Sequence, residues 1–443
     1  MTEEYGMDTA DGAGTSQMSR RIFGKTAAAM AAAAVPTLAG CGAGATPGGR
    51  TEITFACAKF FAQKTIGAIV DEYNAAQSRV FVKLRELPTP NQSTQVHQQL
   101  VRSLSQRDGD IDVYTADIVW IAEFAAAGWS ARLDDAIPPA TRAQYFSGAI
   151  DACTYRNELH ALPWFLDAGM LYYRKDLLEA AGLAVPAHWD ELATAARRLM
   201  DSGAVTNGFN WQGRQQEVLV CNLVEFIGSN GGSILGTDGR TVTIDDPAAV
   251  TAVQFMVDTF ATRKITSRDV LSWDEVPSEL PFLGGRTAFL RNWSFVWNDV
   301  QNPSASAVVG KVAATKLPSF PGGSSTACLG GYQLGMNAAS SKKSAALDFL
   351  TWMSSPATQL TCATQLGLAP SRPAVYAEPD LARANPFMVS LREVFMTGAP
   401  RPRMPKYAQI SLAVQAGVSA ALASGDVAPG LRAARDRIAA IIG

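Results

Sequence analysis

The chain predicts an α/β protein of two domains, and three observations carry that expectation. Between Ile53 and Gly128, short apolar runs alternate with helix-period stretches in the order strand, helix, strand, helix, strand, the pattern of a parallel sheet with crossover helices. From Glu158 this alternation gives way to two extended segments and then to a mostly helical remainder. The sequence has 443 residues, and a leader over residues 1–40 leaves 403, too many for one core and comfortable for two.

The leader is read from Ser19-Arg20-Arg21-Ile22-Phe23-Gly24-Lys25, an uncharged run over Thr26 to Gly40, and the closing Leu38-Ala39-Gly40-Cys41. As a helix, that run reaches only about 22 Å, short of a bilayer core about 30 Å thick. A charged start, a short apolar middle and small residues at the end describe an export signal rather than a membrane helix. The twin arginine resembles signals of the Tat route. The last four residues resemble a lipobox, with Cys41 as the lipidated first residue of the mature protein. More than one acyl chain is needed for a stable anchor. The small, Gly-rich stretch over residues 41–51 then reads as a flexible tether.

The leader holds three basic and four acidic residues, leaving 35 basic against 36 acidic in the mature chain. That balance argues against a nucleic-acid partner. Five further cysteines (Cys57, Cys153, Cys221, Cys328 and Cys362) form no CxxC, and the three histidines lie far apart, so a zinc site has no support. Outside the cytoplasm two disulfides could form; buried free thiols are the alternative, and spacing does not choose.

In order, the expected elements begin with a strand at Ile53 to Cys57 and a helix with Phe61, Ile66, Ile69, Val70 and Tyr73 on one face. A strand at Val80 to Leu84, a helix from Gln95 to Leu104 and a strand at Ile111 to Tyr114 follow, running into Asp117. Ligands of such sheets bind beyond the carboxyl ends of the strands, where Asp117 falls. Leu159 to Phe165 and Gly169 to Tyr173 are extended, and Trp189 to Ser202 is a helix with Asp190 and Glu191 in its first turn. Further helices are expected at Gln216 to Ile227, Pro247 to Ala261, Ser341 to Met353 and beyond Ile410. Lys311 to Leu317 and Gly331 to Met336 read as strands returning to the first sheet.

No GxSxG elbow or HExxH is present, and Gly24-Lys25-Thr26 lacks the first glycine of a P-loop. Asp117, Asp167 and Glu217 stand at segment ends. Two such carboxylates could serve a glycosidase, while each alone reads as a loop charge or helix cap. Their company favours binding. Trp164, Trp293 and Tyr332 lie in polar or Gly-rich settings, suited to a flat face against a sugar ring. In Arg401-Pro402-Arg403-Met404-Pro405 the prolines hold two arginines in a fixed course, and a guanidinium fork binds two hydroxyls or a carboxylate at once.

Six stretches carry a family resemblance: Asp112 to Trp120, Leu162 to Lys175, Gln216-Glu217, Asn292 to Phe295, Gly330 to Tyr332, and Arg401 to Tyr407. With the leader, they resemble the sugar-binding lipoproteins of bacterial ABC importers, family 1 of the extracellular solute-binding proteins. Among these the chain is most similar to the trehalose binders of actinobacteria. The resemblance implies a two-lobed periplasmic-binding-protein fold with a ligand cleft and a multi-strand hinge. Residues 52–161 with 300–350 would form the N-terminal lobe and 162–299 with 351–443 the C-terminal lobe, with crossovers near Leu162, Asn292 and Met353. It implies Asp117, Glu217, Trp293, Gly331 and Arg401 as ligand contacts; Trp164, Asp167, Tyr332 and Arg403 join them from the residue reading. It further implies a monomer on the outer face of the membrane, serving a permease and its ATPase, without a cofactor or catalysis. One departure stands out: Asp167 replaces an asparagine, and an ionised carboxylate only accepts hydrogen bonds. That leaves a neutral disaccharide such as trehalose, or an amino sugar whose ammonium faces Asp167. A binder of glycerophosphodiesters or peptides on the same fold is the competing reading.

Overall fold

The computed structural model describes residues 49–60 and 66–443. The leader, Cys41, most of the expected tether and Phe61 lie outside the described residues.

The first sheet has five strands in the order Val80–Leu87, Thr51–Ala58, Val113–Asp117, Tyr332–Met336 and Ala161–Pro163. The first three are parallel, as the strand–helix alternation predicts, joined through the helices Ile66–Ala76 and Ser93–Gln106. Tyr332–Met336 runs antiparallel between Val113–Asp117 and Ala161–Pro163, with Tyr332 opposite Asp117. Ile53, Phe55 and Val113 are fully buried beneath Phe349 and Leu350 of the helix Lys343–Met353. Asp112, also buried, accepts from Thr54 N at 2.8 Å and Ser340 Oγ at 2.6 Å. A late segment is thereby bonded to the first strand, and the buried carboxylate has the partners it needs.

The second sheet is built on the long strand Phe165–Arg174. Val312–Thr315 flanks it on one side, and Thr287–Trp293 then Asn207–Asn210 on the other. Around it pack Trp189–Asp201, Glu217–Gly228, Pro247–Ala261, Tyr407–Ser424 and Val427–Ile442. The helix Trp189–Asp201 starts where expected: Glu191 Oε2 accepts from Ala187 N at 2.8 Å and His188 N at 3.1 Å, satisfying N–H groups that the helix leaves open.

The expectation for Lys311 to Leu317 is corrected. Val312–Thr315 pairs antiparallel with Leu171 to Arg174 of the second sheet, not the first. Alternating apolar residues specify a strand but not the edge it joins. Here the preceding turn decides, because Ala307 N is bonded to Leu283 O beside the second sheet.

Among the described residues, three passages join the sheets. The strand Ala161–Pro163 belongs to the first sheet and Phe165–Arg174 to the second, with Trp164 between them. Leu329–Gly330 pairs with Ala168 and Asp167 of the second sheet, and Tyr332–Met336 lies in the first, with Gly331 between. The third runs through the helix Pro356–Leu366 to Ala369–Pro370, which pairs with Leu166 and Phe165. Asn292, expected at a crossing, is buried inside the second sheet. Gly331 has φ +109, and a Cβ there would sit 2.3 Å from Phe165 O. Only glycine lets two crossing strands approach so closely. All five described cysteines are buried and free.

Candidate ligand site

Asp117 ends the central strand of the first sheet, and Glu217 opens the helix Glu217–Gly228 that packs against the second sheet. Arg401, 2 % exposed, joins them. It donates from one terminal nitrogen to Glu217 Oε1 at 2.7 Å and from the other to Asp117 Oδ1 at 2.9 Å. Pro400, Pro402 and Pro405 keep this stretch out of a helix until Tyr407. The Tyr407 hydroxyl donates to Glu217 Oε1, and Ser411 Oγ donates to Oε2 at 2.5 Å. Burial works against the Arg401 charge, but Asp117, Cys221, Tyr407 and Cys328 together outweigh it and hold the guanidinium's pKa well above its usual value. The Nε of Arg401 is buried with no partner.

Asp167 and Trp293 form a second group. Asp167 Oδ1 accepts from Ser294 Oγ at 2.6 Å, Ser294 N at 2.9 Å and Ala168 N at 2.9 Å. Burial raises its pKa to about 6, with the Ser294 and Ala168 bonds and then Arg291 holding it back. None of its ion-pair or hydrogen-bond partners among the described residues is a cation. Trp293 is 9 % exposed, with the Arg291 guanidinium 4.3 Å from its ring centre. That guanidinium is itself held by Glu225, whose Oε2 lies 2.6 Å from Arg291 Nε. The indole N–H donates to Glu275 Oε1 at 3.1 Å, leaving Glu275 Oε2 buried and without a partner.

Aromatic rings form the wall nearest the passages. Phe60 meets Trp164 at 5.7 Å, Phe165 at 5.3 Å and Tyr332 at 5.3 Å between ring centres, and Phe165 stacks on Tyr332 at 5.9 Å. Trp164 is fully buried, yet its Nε1 has no acceptor. Burial, then the Asp117 charge, pushes the Tyr332 phenol well above its usual range, and Arg401 and Glu275 also act on it. The two groups therefore share one region of the molecule.

Of the expected residues, Asp117, Glu217 and Arg401 are in direct contact, and Tyr332 lies across the register from Asp117. Asp167 and Trp293 flank Ser294, Gly331 lies at a passage and Trp164 in the aromatic wall. Arg403 is exposed and lines a surface pocket of about 400 Å³ together with Arg401, Ile227, Leu235 and Met404. Sequence reasoning missed Glu275, Gln216 and Ser411. Asp274-Glu275 reads as ordinary acidic residues at a helix start, and Ser411 lies inside a helical run.

Asp117 and Glu217 share one guanidinium, which stands between the two carboxylates where a glycosidase would have to admit the scissile bond. Among the described residues no group of three His, Cys, Asp or Glu side chains is arranged to hold a metal, and no helix is long and apolar enough to cross a membrane.

Residues 62–360 match the family described as bacterial extracellular solute-binding protein. A probable ABC transporter-binding protein of Deinococcus radiodurans is 31 % identical over 407 residues, covering 88 % of this chain and 94 % of that protein. Among solved structures, maltose-bound MalE3 of T. maritima is 34 % identical, with a TM-score of 0.81 over 87 % of this chain and 98 % of that one. A solute-binding protein of Agrobacterium radiobacter K84 in complex with ribitol superposes with a TM-score of 0.78 at 24 % identity, covering 88 % of this chain and 98 % of its own, a likeness of fold alone.

Proposed function

The chain belongs to the bacterial extracellular solute-binding protein family, substrate-binding proteins of ABC transporters rather than enzymes, and on that footing we propose that it captures a saccharide for import. One observation carries this reading: Trp164 Nε1, Gln216 Oε1, Glu275 Oε2 and Arg401 Nε are all buried without partners, and they belong to or adjoin the residues just described. An unpaired buried polar atom costs roughly 1–3 kcal/mol. A polyhydroxylated ligand supplies donors and acceptors to these atoms, and the aromatic wall supplies flat faces. The 34 % identical structure holds maltose.

Within the saccharides, an amino sugar fits better than trehalose. Asp167 lies 2.9 Å or less from Ser294 and Ala168 and contacts no cation, so an ammonium on the ligand would be its counter-ion. A glycerophosphodiester fits poorly, because Arg401 is already shared by Asp117 and Glu217 and a phosphate would meet carboxylates on two sides. Asp117, Trp164, Asp167, Glu217, Trp293, Gly331, Tyr332 and Arg401 contact the ligand in this reading, with Arg403 at the rim. Closure around the ligand follows from its tighter binding to the closed form, which then meets the permease. Cys41 holds the monomer to the membrane, so Cys41→Ala releases it to the soluble fraction; retention of that variant would refute the anchor.

Calorimetry of residues 51–443 tests the ligand class, with glucosamine-type, trehalose-type and glycerophosphodiester ligands. The expected result is binding of the amino sugar without turnover. If no saccharide binds at millimolar concentration, the saccharide reading fails.

A further inference from the structure

We propose that Cys221 and Cys328 are joined by a disulfide in the exported protein. Cys221 lies on the helix Glu217–Gly228, four residues before Glu225, and residues four apart share a helix face. From that face Glu225 Oε1 accepts from Cys328 N at 3.2 Å. Cys221 is therefore one turn from a side chain that touches Cys328. The two residues lie in the same core, 2 % and 0 % exposed, and the Cys328 thiol acts on Cys221. The Arg401 charge also acts on Cys221, against a larger effect of burial.

A family of extracellular proteins works where disulfides persist. The oxidant is a disulfide, either of a small thiol or of a thiol oxidoreductase. One cysteine thiolate attacks it, forming a mixed disulfide and releasing one thiol. The second thiolate displaces the other half. The protein gives up two electrons and two protons, and the oxidant leaves as two thiols. Burial keeps the Cys221 thiol protonated, and the adjacent Cys328 thiol adds to that, so exchange is slow and proceeds through local opening.

The bond would fasten one corner of the ligand site. Ala399 N is bonded to Ala327 O at 2.8 Å and Leu329 N to Ala399 O at 2.9 Å. Cys328 therefore lies beside the stretch that carries the chain into Arg401, while Cys221 sits one turn beyond Glu217. Joining them restrains the Arg401–Glu217 contact from both sides.

The test uses the full chain, incubated with glutathione disulfide at pH 8, alkylated in denaturant and digested for mass spectrometry. The expected product links the Cys221 and Cys328 peptides and leaves Cys57, Cys153 and Cys362 alkylated. Reductant should then lower the melting midpoint by roughly 5 °C, an effect absent from Cys328→Ala. Full alkylation of both Cys221 and Cys328, or a link from either to a different cysteine, overturns the proposal. Sugar binding is measured separately on the same sample, so a failed disulfide leaves the ligand reading untouched, and the converse holds.

Discussion

Replacing Asp167 by asparagine separates what the carboxylate costs the fold from what it gives the ligand. Its Oδ1 accepts three hydrogen bonds, from Ser294 Oγ, Ser294 N and Ala168 N, and an amide oxygen in the same place accepts all three. Burial raises the folded-state pKa from the usual 3.8 to about 6. At about 1.36 kcal/mol for each pKa step, that displacement corresponds to about 3 kcal/mol at most. Asp167 is only partly buried, so solvent screening brings the figure to about 1–2 kcal/mol. The sign follows from proton linkage. A carboxyl with a raised folded pKa contributes stability that is complete below pH 3.8 and lost as pH rises through about 6. Ligand-free Asp167→Asn should therefore be more stable than the parent by about 1–2 kcal/mol at pH 7.5, with the gain vanishing towards pH 4. Urea denaturation across that range measures it. A variant that is less stable at pH 7.5, or a difference that stays flat with pH, would refute the reasoning. In the same variant, amino-sugar affinity should fall more than tenfold, since a charge-assisted bond is worth about 1.5–3 kcal/mol and tenfold is about 1.4. Affinity for a neutral sugar should hold or rise.

Arg401→Met leaves Asp117 and Glu217 without their shared cation. Saccharide binding should be lost and stability should fall by about 3–5 kcal/mol; an unchanged Kd by calorimetry would exclude Arg401 from the site. Trp293→Ala should weaken the sugar at least about tenfold, and full affinity in a folded variant would leave Trp293 as a core residue alone. Gly331→Ala forces a Cβ to 2.3 Å from Phe165 O and should lower the melting midpoint by several degrees. A melting curve superposing on the parent's would show that the passage tolerates a side chain.

The opening of the chain was legible because its periodicity is local. Ile53 to Cys57 and Val80 to Leu84 announce strands, and the helices between them force parallel pairing. Asp117 could be placed at a strand end for the same reason. Partner choice between distant segments was not legible. Nothing in Val312 to Thr315 names Arg174 as its neighbour, and the apolar segment Thr287 to Trp293 looks like a crossing between lobes although it stays within the second sheet. In the structure, Asn292 is turned to its own surroundings, its Nδ2 donating to Glu275 O at 3.2 Å and its Oδ1 accepting from Trp293 N at 2.8 Å. Glu275 itself was hidden by its position, since a carboxylate in a first helical turn has an ordinary explanation. Arg401 was legible as a rigidly held cation but not as the bridge between two carboxylates, which lie 284 and 184 residues away along the chain.

The place of Tyr332–Met336 has a consequence for biogenesis. It is an interior strand, lying between Val113–Asp117 and Ala161–Pro163, so the first sheet is divided until residue 336 has been synthesised. Val113–Asp117 and Ala161–Pro163 wait on the ribosome with unpaired edges, and such edges recruit other chains. Closing that sheet also requires a loop long enough to make folding slow. A nascent chain of this protein therefore needs shielding over most of its synthesis, and any truncation before Tyr332 should aggregate rather than yield a free-standing first domain.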